Sequence, residues 1–229
     1  FGGRGLSGTG PKAGGPNYLP RLMMERATPK PSHIDDIENI DEALRSSTQD
    51  DHDAAARLMD NGLEVEAKWR HTPLNDRISC VRQLLAKIAK VDIVDELADD
   101  LNRTLATSRQ QLIAVERRLK SPQTLPGPTG ESNKLYLEPR GILVCFADKG
   151  VSFEYWTLSI VTALATGNTV VSVVSDLFYE EALEFQENFN ASGAPKGVFQ
   201  VARLKHLEAL LMDEDLAGVV VDSHTERTA

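Results

Sequence analysis

The sequence predicts an α/β fold in which a parallel sheet is covered by helices on both faces and is preceded by a layer of helices. From residue 141 onward, short apolar runs alternate strictly with helical segments, and this alternation is typical of parallel strands joined by right-handed crossovers. Between residues 73 and 120, apolar residues instead recur every three or four positions, which is the spacing of one helix face. The sheet and the helical layer are therefore predicted from two different periodicities.

The composition bounds the size and the partners of the protein. Its 229 residues suffice for one medium domain with appendages or for two small domains. With 25 Lys and Arg against 34 Asp and Glu, the net charge of −9 disfavours non-specific binding to nucleic acid or to an anionic membrane. No apolar stretch approaches the roughly 20 residues that a membrane span needs. Because the chain begins at Phe1 inside a glycine-rich run, we expect it to be the C-terminal part of a longer soluble protein.

Four segments are predicted in order along the chain. Residues 1–31 are rich in glycine and proline and are predicted to be an extended loop. Residues 32–60 are acidic and polar, and we interpret them as a connector that contains one short amphipathic helix near 34–44. Residues 61–125 are assigned to the helical layer, and residues 126–229 are assigned to the sheet and its helices.

Two helices are predicted within the helical layer. The first follows Pro73, and the second begins near Asp92 and ends at Ser121-Pro122, because proline cannot continue a helix. The segment from there to Ser132 is rich in proline and glycine and is predicted to be a loop. An irregular segment is therefore expected between the helical layer and the sheet.

The sheet is predicted from four apolar runs and from three helices between them. Gly167 and Gly193 are expected to end two of these helices, because glycine accepts the left-handed backbone that commonly follows a helix. The predicted strands are 141–147, 169–174, 197–201 and 218–222, and the predicted helices are about 152–166, 177–191 and 203–213.

A glycine pattern near the start matches the dinucleotide-binding fingerprint in its letters only. The run from Gly3 to Gly8 has the spacing G-x-G-x-x-G, which needs a strand before it and a helix after it to aim backbone N–H groups at a pyrophosphate. Pro11 and Pro16 exclude that helix. We therefore expect no nucleotide site in this loop.

The cysteines and histidines predict neither a disulfide nor a metal site. Cys80 and Cys145 lie in apolar-periodic contexts and are interpreted as buried free thiols in a reducing compartment. The five histidines have no ligand-like spacing with cysteine or carboxylate residues. Cys145 lies within a predicted strand and has no base near it in sequence, so it is not expected to be a nucleophile.

Aromatic and acidic residues near the predicted helices are interpreted as structural. Trp69, Trp156, Phe153 and Tyr155 are at helical positions suited to packing in the core or in an interface. Glu154 lies near a helix start, where a carboxylate complements the helix dipole.

Several long strings resemble one family of enzymes. The opening FGGRGLSGTGPKAGGPNYL resembles the C-terminal tail of the glutamate-semialdehyde (pyrroline-5-carboxylate) dehydrogenases, in particular the dehydrogenase module of the bifunctional proline utilization A proteins. From about Ala54 to Ala229 the chain resembles the opening half of an aldehyde dehydrogenase, notably at LPGPTGESN (125–133) and ALATGNTV (163–170). The second region is similar to the extra C-terminal domain of the longer proline utilization A proteins.

This resemblance implies a Rossmann-like sheet in a fragment of a larger enzyme. In the family, the loop matched by Lys12, Ala13 and Gly14 anchors the substrate carboxylate through backbone amides. The whole protein is implied to contain a FAD-dependent proline dehydrogenase and an NAD-dependent glutamate-semialdehyde dehydrogenase. It is implied to be a cytoplasmic homo-oligomer, with peripheral membrane association of the whole protein as an option.

The positions that serve the cofactor in the family are altered in this chain. Lys149-Gly150 stands where the family has Trp-Asn, whose amide stabilises the oxyanion. Val173-Val174-Ser175-Asp176 stands where Lys-Pro-Ser-Glu binds the adenosine ribose, so a valine replaces a hydrogen-bond donor at Val173 and an aspartate replaces a glutamate at Asp176. Ser223 and Thr228 replace both glycines of the Gly-Ser-Thr-Glu-x-Gly turn. We therefore expect neither catalytic residues nor a bound cofactor in this chain.

Three functions are compatible with these observations. The leading hypothesis is a non-catalytic domain that packs against the catalytic aldehyde dehydrogenase domain of the same polypeptide, encloses the substrate-channelling cavity and supports oligomerisation. The second is a residual NAD-binding domain that uses Asp176, Thr225 and Glu226. The third is a regulatory domain that binds proline, glutamate or another nucleotide in the vacated crevice.

Overall fold

A computed structural model describes residues 47–90, 95–147 and 152–221 of the chain. Its helices are α1 (Gln49–His71), α2 (Leu74–Ile88), α3 (Asp95–Leu119), α4 (Phe153–Ala165), α5 (Tyr179–Asn190) and α6 (Leu207–Leu211). Its strands are β1 (Gln123–Leu125), β2 (Asn133–Leu135), β3 (Ile142–Ala147), β4 (Thr169–Val174), β5 (Phe199–Arg203) and β6 (Leu216–Val220). Short 3₁₀ turns, Asp176–Phe178 and Leu204–His206, lead into α5 and α6.

Four of the strands form one parallel sheet in the order β5-β4-β3-β6. β3 pairs with β4 from Ile142, opposite Thr169, to Ala147, opposite Val174. In the sheet, β4 and β5 lie on one side of β3, whereas β6 lies on its other side. The strand order therefore reverses beside β3. The predicted parallel sheet is confirmed.

The sheet buries apolar side chains on both faces, because successive side chains of a strand point to opposite sides. On one face, Val170 and Val174 of β4 belong to a core cluster with residues of α2, α3, α4 and α5. On the other face, Val171 and Val173 pack in a second cluster with residues of α1 and α6. The prediction of helices on both faces of the sheet is confirmed.

Helix α1 has 23 residues and was not predicted from the apolar periodicity. It starts with a capping box, in which the Thr48 N–H donates to the Asp51 carboxylate at 3.0 Å and the Asp51 N–H donates to the Thr48 hydroxyl at 3.4 Å. Its last turn buries Trp69, whose indole N–H donates to the Leu164 carbonyl at 3.2 Å. The helix extends on both sides of residue 60, where the sequence interpretation ends the connector.

Helices α2 and α3 form where the apolar stripes predict them. α2 begins directly after Pro73, and α3 ends at Leu119, ahead of Ser121-Pro122. The predicted helix start at Asp92 and the predicted short helix at 34–44 both lie outside the described residues.

Residues Ser121–Leu137 belong to a unit separate from the rest of the described chain. In it, β1 and β2 pair antiparallel, with Gln123 opposite Leu135 and Leu125 opposite Asn133. The prediction of a loop up to Ser132 is therefore wrong for β1. Strands of three residues are too short to produce a recognisable two-residue periodicity.

The later elements follow the prediction closely, with a shift in the last two strands. Gly167 and Gly193 have φ angles of 94° and 92°, as expected for glycines that follow helices. Gly197 has a φ of 98°, and a Cβ there would lie 2.8 Å from the Asn61 carbonyl oxygen, so this residue belongs to a turn and β5 starts at Phe199. β6 starts at Leu216, two residues before its predicted start.

Candidate functional site

The carboxyl ends of the parallel strands form the edge where open α/β sheets usually bind ligands, at the point where the strand order reverses. In this chain that point lies between β3 and β6. Several predicted positions lie outside the described residues: Lys12, Ala13, Gly14, Lys149, Gly150, Ser223, Thr225, Glu226 and Thr228. Val173 and Asp176 are described, and they mark the end of the neighbouring strand β4.

Asp176 is held by an arginine from the next strand. Arg203, the last residue of β5, lies opposite Val174 in the sheet, and its Nη1 is 2.5 Å from Oδ1 of Asp176. The guanidinium carbon also lies 3.8 Å from the centroid of the Tyr179 ring, which is the geometry of a cation–π contact. The hydrogen bond to Asp176 raises the pKa of Arg203, so the guanidinium keeps its charge. The carboxylate of Asp176 is already engaged by the protein itself.

Val173 has no access to this edge. Its side chain is fully buried in the core cluster that β4 shares with α1 and α6. Val174 and Ser175 are buried as well, and the first exposed residue after the strand is Asp176. The end of β4 therefore presents the carboxylate of Asp176, which is paired with Arg203. Val173 offers no hydrogen-bond donor there.

The first turn of α4 carries a carboxylate at a place where a helix N-terminus would favour an anion. The Ser152 hydroxyl caps the helix by accepting the Tyr155 N–H at 3.3 Å. Glu154 accepts hydrogen bonds from Arg103 Nε at 3.1 Å and from the Thr107 hydroxyl at 3.0 Å, both on α3. Glu154 thus stands where its carboxylate complements the helix dipole, as predicted, and it also joins α4 to α3. A pyrophosphate at this helix end would meet the ion pair of Glu154 with Arg103.

An apolar cleft of about 520 Å³ lies between α3, α4 and the strands β3 and β6. Phe146, Tyr155 and Val220 contribute apolar wall, and Gln111 and Thr162 contribute polar groups. Pockets for small molecules have volumes of roughly 300–1,000 Å³ and a mainly apolar lining. The cleft therefore has the size of a ligand site, although it lacks a cluster of charged groups among its described walls.

Exposed apolar residues accompany this cleft along the carboxyl edge of the sheet. We call Phe153, Tyr155, Leu177 and Val221 the apolar rim, and their exposed fractions are 36%, 39%, 67% and 43%. Phe153 and Tyr155 belong to the first turn of α4, Leu177 follows β4 and Val221 follows β6. Apolar groups exposed near one edge of a domain are typical of a surface that another protein covers.

Cys145 is not an activated nucleophile. Cys145 is 1% exposed within β3, and burial raises the pKa of its thiol to about 12. A thiol with this pKa stays protonated at neutral pH, whereas covalent aldehyde chemistry needs a thiolate. Cys80 is also a free thiol, but it is only half-buried, so the prediction that both thiols are buried is wrong for Cys80.

The two tryptophans pack in the core, as predicted. Trp69 and Trp156 are 1% and 2% exposed, and the Trp156 indole N–H donates to the Ser172 hydroxyl at 2.8 Å. Phe153 packs against Trp156, with the ring centroids 5.8 Å apart, although part of Phe153 stays exposed. The two tryptophans are core residues rather than ligand platforms.

The profile of the aldehyde dehydrogenase family matches residues 30–222. The chain belongs to the aldehyde dehydrogenase family. It is 33% identical to the bifunctional protein PutA of Rhizobium meliloti over 172 residues, which is 74% of this chain and 10% of that protein. The fold matches a crystal structure of a Bradyrhizobium japonicum proline utilization A mutant with a TM-score of 0.65, at 21% identity, covering 80% of this chain and 20% of that one. It also matches PnpE in complex with nicotinamide adenine dinucleotide, with a TM-score of 0.62 at 20% identity, covering 71% of this chain and 36% of PnpE.

These comparisons confirm the family and the Rossmann-like α/β fold that the resemblance implies. The chain spans only 8–10% of the length of the PutA relatives.

The residue that engages Asp176, Arg203, was not predicted from the sequence. Arg203 was placed inside a helix at 203–213, because the strand before it was predicted to end at residue 201. With β5 ending at Arg203, the side chain belongs to the carboxyl edge of the sheet. The turn at Gly197 was the signal that would have moved the strand by two residues.

No group of three or more His, Cys, Asp or Glu side chains in the described parts of the chain could hold a metal ion. No helix within the described ranges combines the length and the apolar character that crossing a bilayer requires.

Proposed function

We propose that this chain is a non-catalytic structural domain of a bifunctional proline-catabolic enzyme, which converts proline to glutamate through pyrroline-5-carboxylate and glutamate semialdehyde. The family assignment and the similarity to PutA proteins support this context. In the whole enzyme, FAD would serve the proline dehydrogenase and NAD would serve the dehydrogenase for the semialdehyde.

The observation that carries the proposal is the pairing of Asp176 with Arg203. Asp176 occupies the position of the family's ribose-binding glutamate, and a ribose hydroxyl would have to compete with a guanidinium already 2.5 Å from its carboxylate. The matching lysine position is the buried Val173. A charge-assisted hydrogen bond is worth about 1.5–3 kcal/mol, so the loss of the lysine contact would weaken NAD binding by about 10- to 200-fold. Competition from the exposed ion pair of Asp176 would add a factor of up to about five.

The proposed partner is the catalytic aldehyde dehydrogenase domain of the same polypeptide. The apolar rim is the kind of surface that such a domain would cover, because it exposes aromatic and aliphatic side chains along one edge of the sheet. Packing there would help to enclose the channelling cavity and would support a homo-oligomer of the whole enzyme. Residues 12–14 would bind the substrate carboxylate in the active site of the neighbouring catalytic domain. They would not contribute to a site at the sheet of this chain. The proposal places the enzyme in the cytoplasm.

Deletion of residues 54–229 from the whole enzyme tests this proposal. We expect each half-reaction, assayed separately with its own substrate, to keep its rate, because the proposed domain contributes no catalytic group. The coupled reaction should show a longer transient time, or the oligomer should dissociate in sedimentation. An unchanged transient time together with an unchanged oligomer would contradict the structural role, and the loss of the aldehyde dehydrogenase half-reaction would contradict the non-catalytic one.

The apolar cleft favours a second candidate, a domain that senses a metabolite. Its volume of about 520 Å³ would hold a molecule of the size of an amino acid or a nucleoside. Saturable binding of proline, glutamate or a nucleotide, measured by calorimetry and abolished by Thr162→Trp in the cleft wall, would favour sensing over a purely structural role. The exposed change Lys196→Trp on the loop before β5 provides a matched control.

A further inference from the structure

The turn that follows β5 contains a histidine whose two ring nitrogens face different elements of the fold. Nδ1 of His206 accepts the backbone N–H of Arg203, the last residue of β5, at 3.3 Å. Nε2 of the same ring lies 3.6 Å from Oδ1 of Asp51, in the first turn of α1. The side chain of His206 is 13% exposed and that of Asp51 is 8% exposed. The imidazole therefore lies, largely buried, between the end of a strand and the start of a helix.

The charges around this ring are held in place by other contacts. Lys205 Nζ lies 2.7 Å from Oδ1 of Asp51, and the Thr48 hydroxyl donates to the other oxygen, Oδ2, at 2.7 Å. These bonds, from Lys205 first and then from Thr48, hold the pKa of Asp51 well below its usual range, so the carboxylate is ionised. Arg203 and Asp176 are the other charged groups that act on His206. The ring thus has one carboxylate and one ammonium nearby on its Nε2 side.

The hydrogen bond to Arg203 fixes the protonation state of the ring. A nitrogen that accepts an N–H must carry a lone pair, so Nδ1 is unprotonated and the neutral ring carries its hydrogen on Nε2. In the imidazolium form both nitrogens are donors, and Nδ1 can no longer accept the Arg203 N–H. Burial, followed by the charge of Lys205, lowers the pKa of His206, although Asp51 acts in the opposite direction. The neutral, bonded form is the one that this environment favours.

We propose that His206 is a proton-operated lock that holds the end of β5 beside the N-terminus of α1, and that protonation of the ring releases the end of β5. Release acts on Arg203 directly, because its backbone N–H loses its acceptor. The side chain of Arg203 is the partner of Asp176, so the lock also controls the carboxyl edge of the sheet. The device does not depend on NAD or on the assignment of the domain as non-catalytic.

Nuclear magnetic resonance of the whole 229-residue chain tests the lock. Ring ¹⁵N shifts should show the Nε2–H tautomer of His206 at pH 7.5. As the ring titrates, hydrogen-exchange protection of the Arg203 amide should fall about two- to tenfold, the range that one hydrogen bond is worth. The midpoint of this loss should coincide with the titration of the ring. A neutral ring protonated on Nδ1, or an Arg203 amide whose protection is unchanged as the ring titrates, would overturn the proposal.

Two variants separate the lock from a merely structural role. His206→Asn offers a side-chain oxygen near the position of Nδ1 that does not titrate, so the Arg203 amide should keep its protection across the pH range in which the wild-type ring titrates. His52→Asn removes an exposed histidine on the same helix as Asp51 and should leave the pH response of the Arg203 amide as in the wild type. If His206→Asn retains the wild-type pH response, the ring is not the switch. If His206→Asn fails to fold, the wild-type titration and the His52→Asn control still decide the matter.

Discussion

Replacement of Arg203 by Met removes the charge that engages Asp176 and keeps most of the aliphatic side chain. Exposed ion pairs contribute about 0.2–1 kcal/mol, and exposed cation–π contacts contribute about 0.5–1 kcal/mol. We therefore expect Arg203→Met to lower the free energy of unfolding by about 0.7–2 kcal/mol. For a chain of this size that corresponds to a fall in Tm of about 2–6 °C.

A double-mutant cycle in urea distinguishes the two contacts. Asp176→Asn should remove the ion pair alone, and Tyr179→Leu should remove the cation–π contact alone. The combination of Arg203→Met with either change should cost less than the sum of the two single changes, because each pair shares one interaction. Strict additivity in both cycles, or a loss below about 0.3 kcal/mol for Arg203→Met, would refute the contact that we place at the end of β5.

Three further predictions concern the fold and its response to pH. Gly167→Ala should lower the free energy of unfolding in urea by at least about 1–3 kcal/mol, because φ is 94° and the new Cβ would lie 2.6 Å from a guanidinium nitrogen of Arg77. Gly193→Ala is the control, because this residue has a similar φ but open space around it. It should cost only the backbone strain of about 1 kcal/mol. Cys145 should resist iodoacetamide at pH 8 until urea unfolds the chain, and labelling of the native protein at the rate of a free peptide thiol would contradict its burial. The lowered pKa of His206 means that the unfolded chain takes up its proton first, so stability should fall as pH drops below the ordinary value of 6.5. A second loss of stability, caused by protonation of Asp51, should begin below pH 3.8, the ordinary pKa of an aspartate. In thermal melts between pH 7.5 and 5, a His206→Asn variant should lack the first loss of stability.

The alternation of strands and helices predicted most of the sheet, because buried parallel strands are continuous apolar runs and glycine marks the helix ends. Strand β4 at Thr169–Val174 coincides with its predicted run, and helix α4 differs from its prediction by one residue at each end. Both elements combine a long apolar run with a cap at a boundary, Ser152 for α4 and Gly167 before β4. Propensity and tertiary packing agree there, so local signals suffice.

Helix α1 shows why other parts were missed. Its mean composition is polar, and two of its buried positions, Ala55 and Gly62, are small residues that a search for large apolar side chains passes over. The capping box at Thr48 and Asp51 was readable in the sequence and would have indicated the start of the helix. Small residues are required where a helix lies directly on a sheet: a Cβ on Gly62 would come within 3.1 Å of the Ile142 side chain.

The candidate site was predicted only in part, because its contacts join residues far apart in sequence. Asp176 was singled out from the family pattern, but its partner Arg203 is 27 residues away and depends on the register of β5 against β4. The pairing of Asp51 with His206 likewise needs α1 to lie against the turn after β5. Local periodicity contains no information on such pairs, so they are visible only in the structure.

Calorimetric titration of the chain with NAD, supported by a thermal-shift series, tests the central claim most directly. We predict no saturable heat and no shift in Tm up to millimolar NAD, because Asp176 is engaged by Arg203 and Val173 is buried. A site that was occupied at 100 times its Kd would add about 2.7 kcal/mol of stability, which is several degrees in Tm. Binding with a micromolar Kd would contradict the account and would restore the chain to the cofactor-binding members of its family.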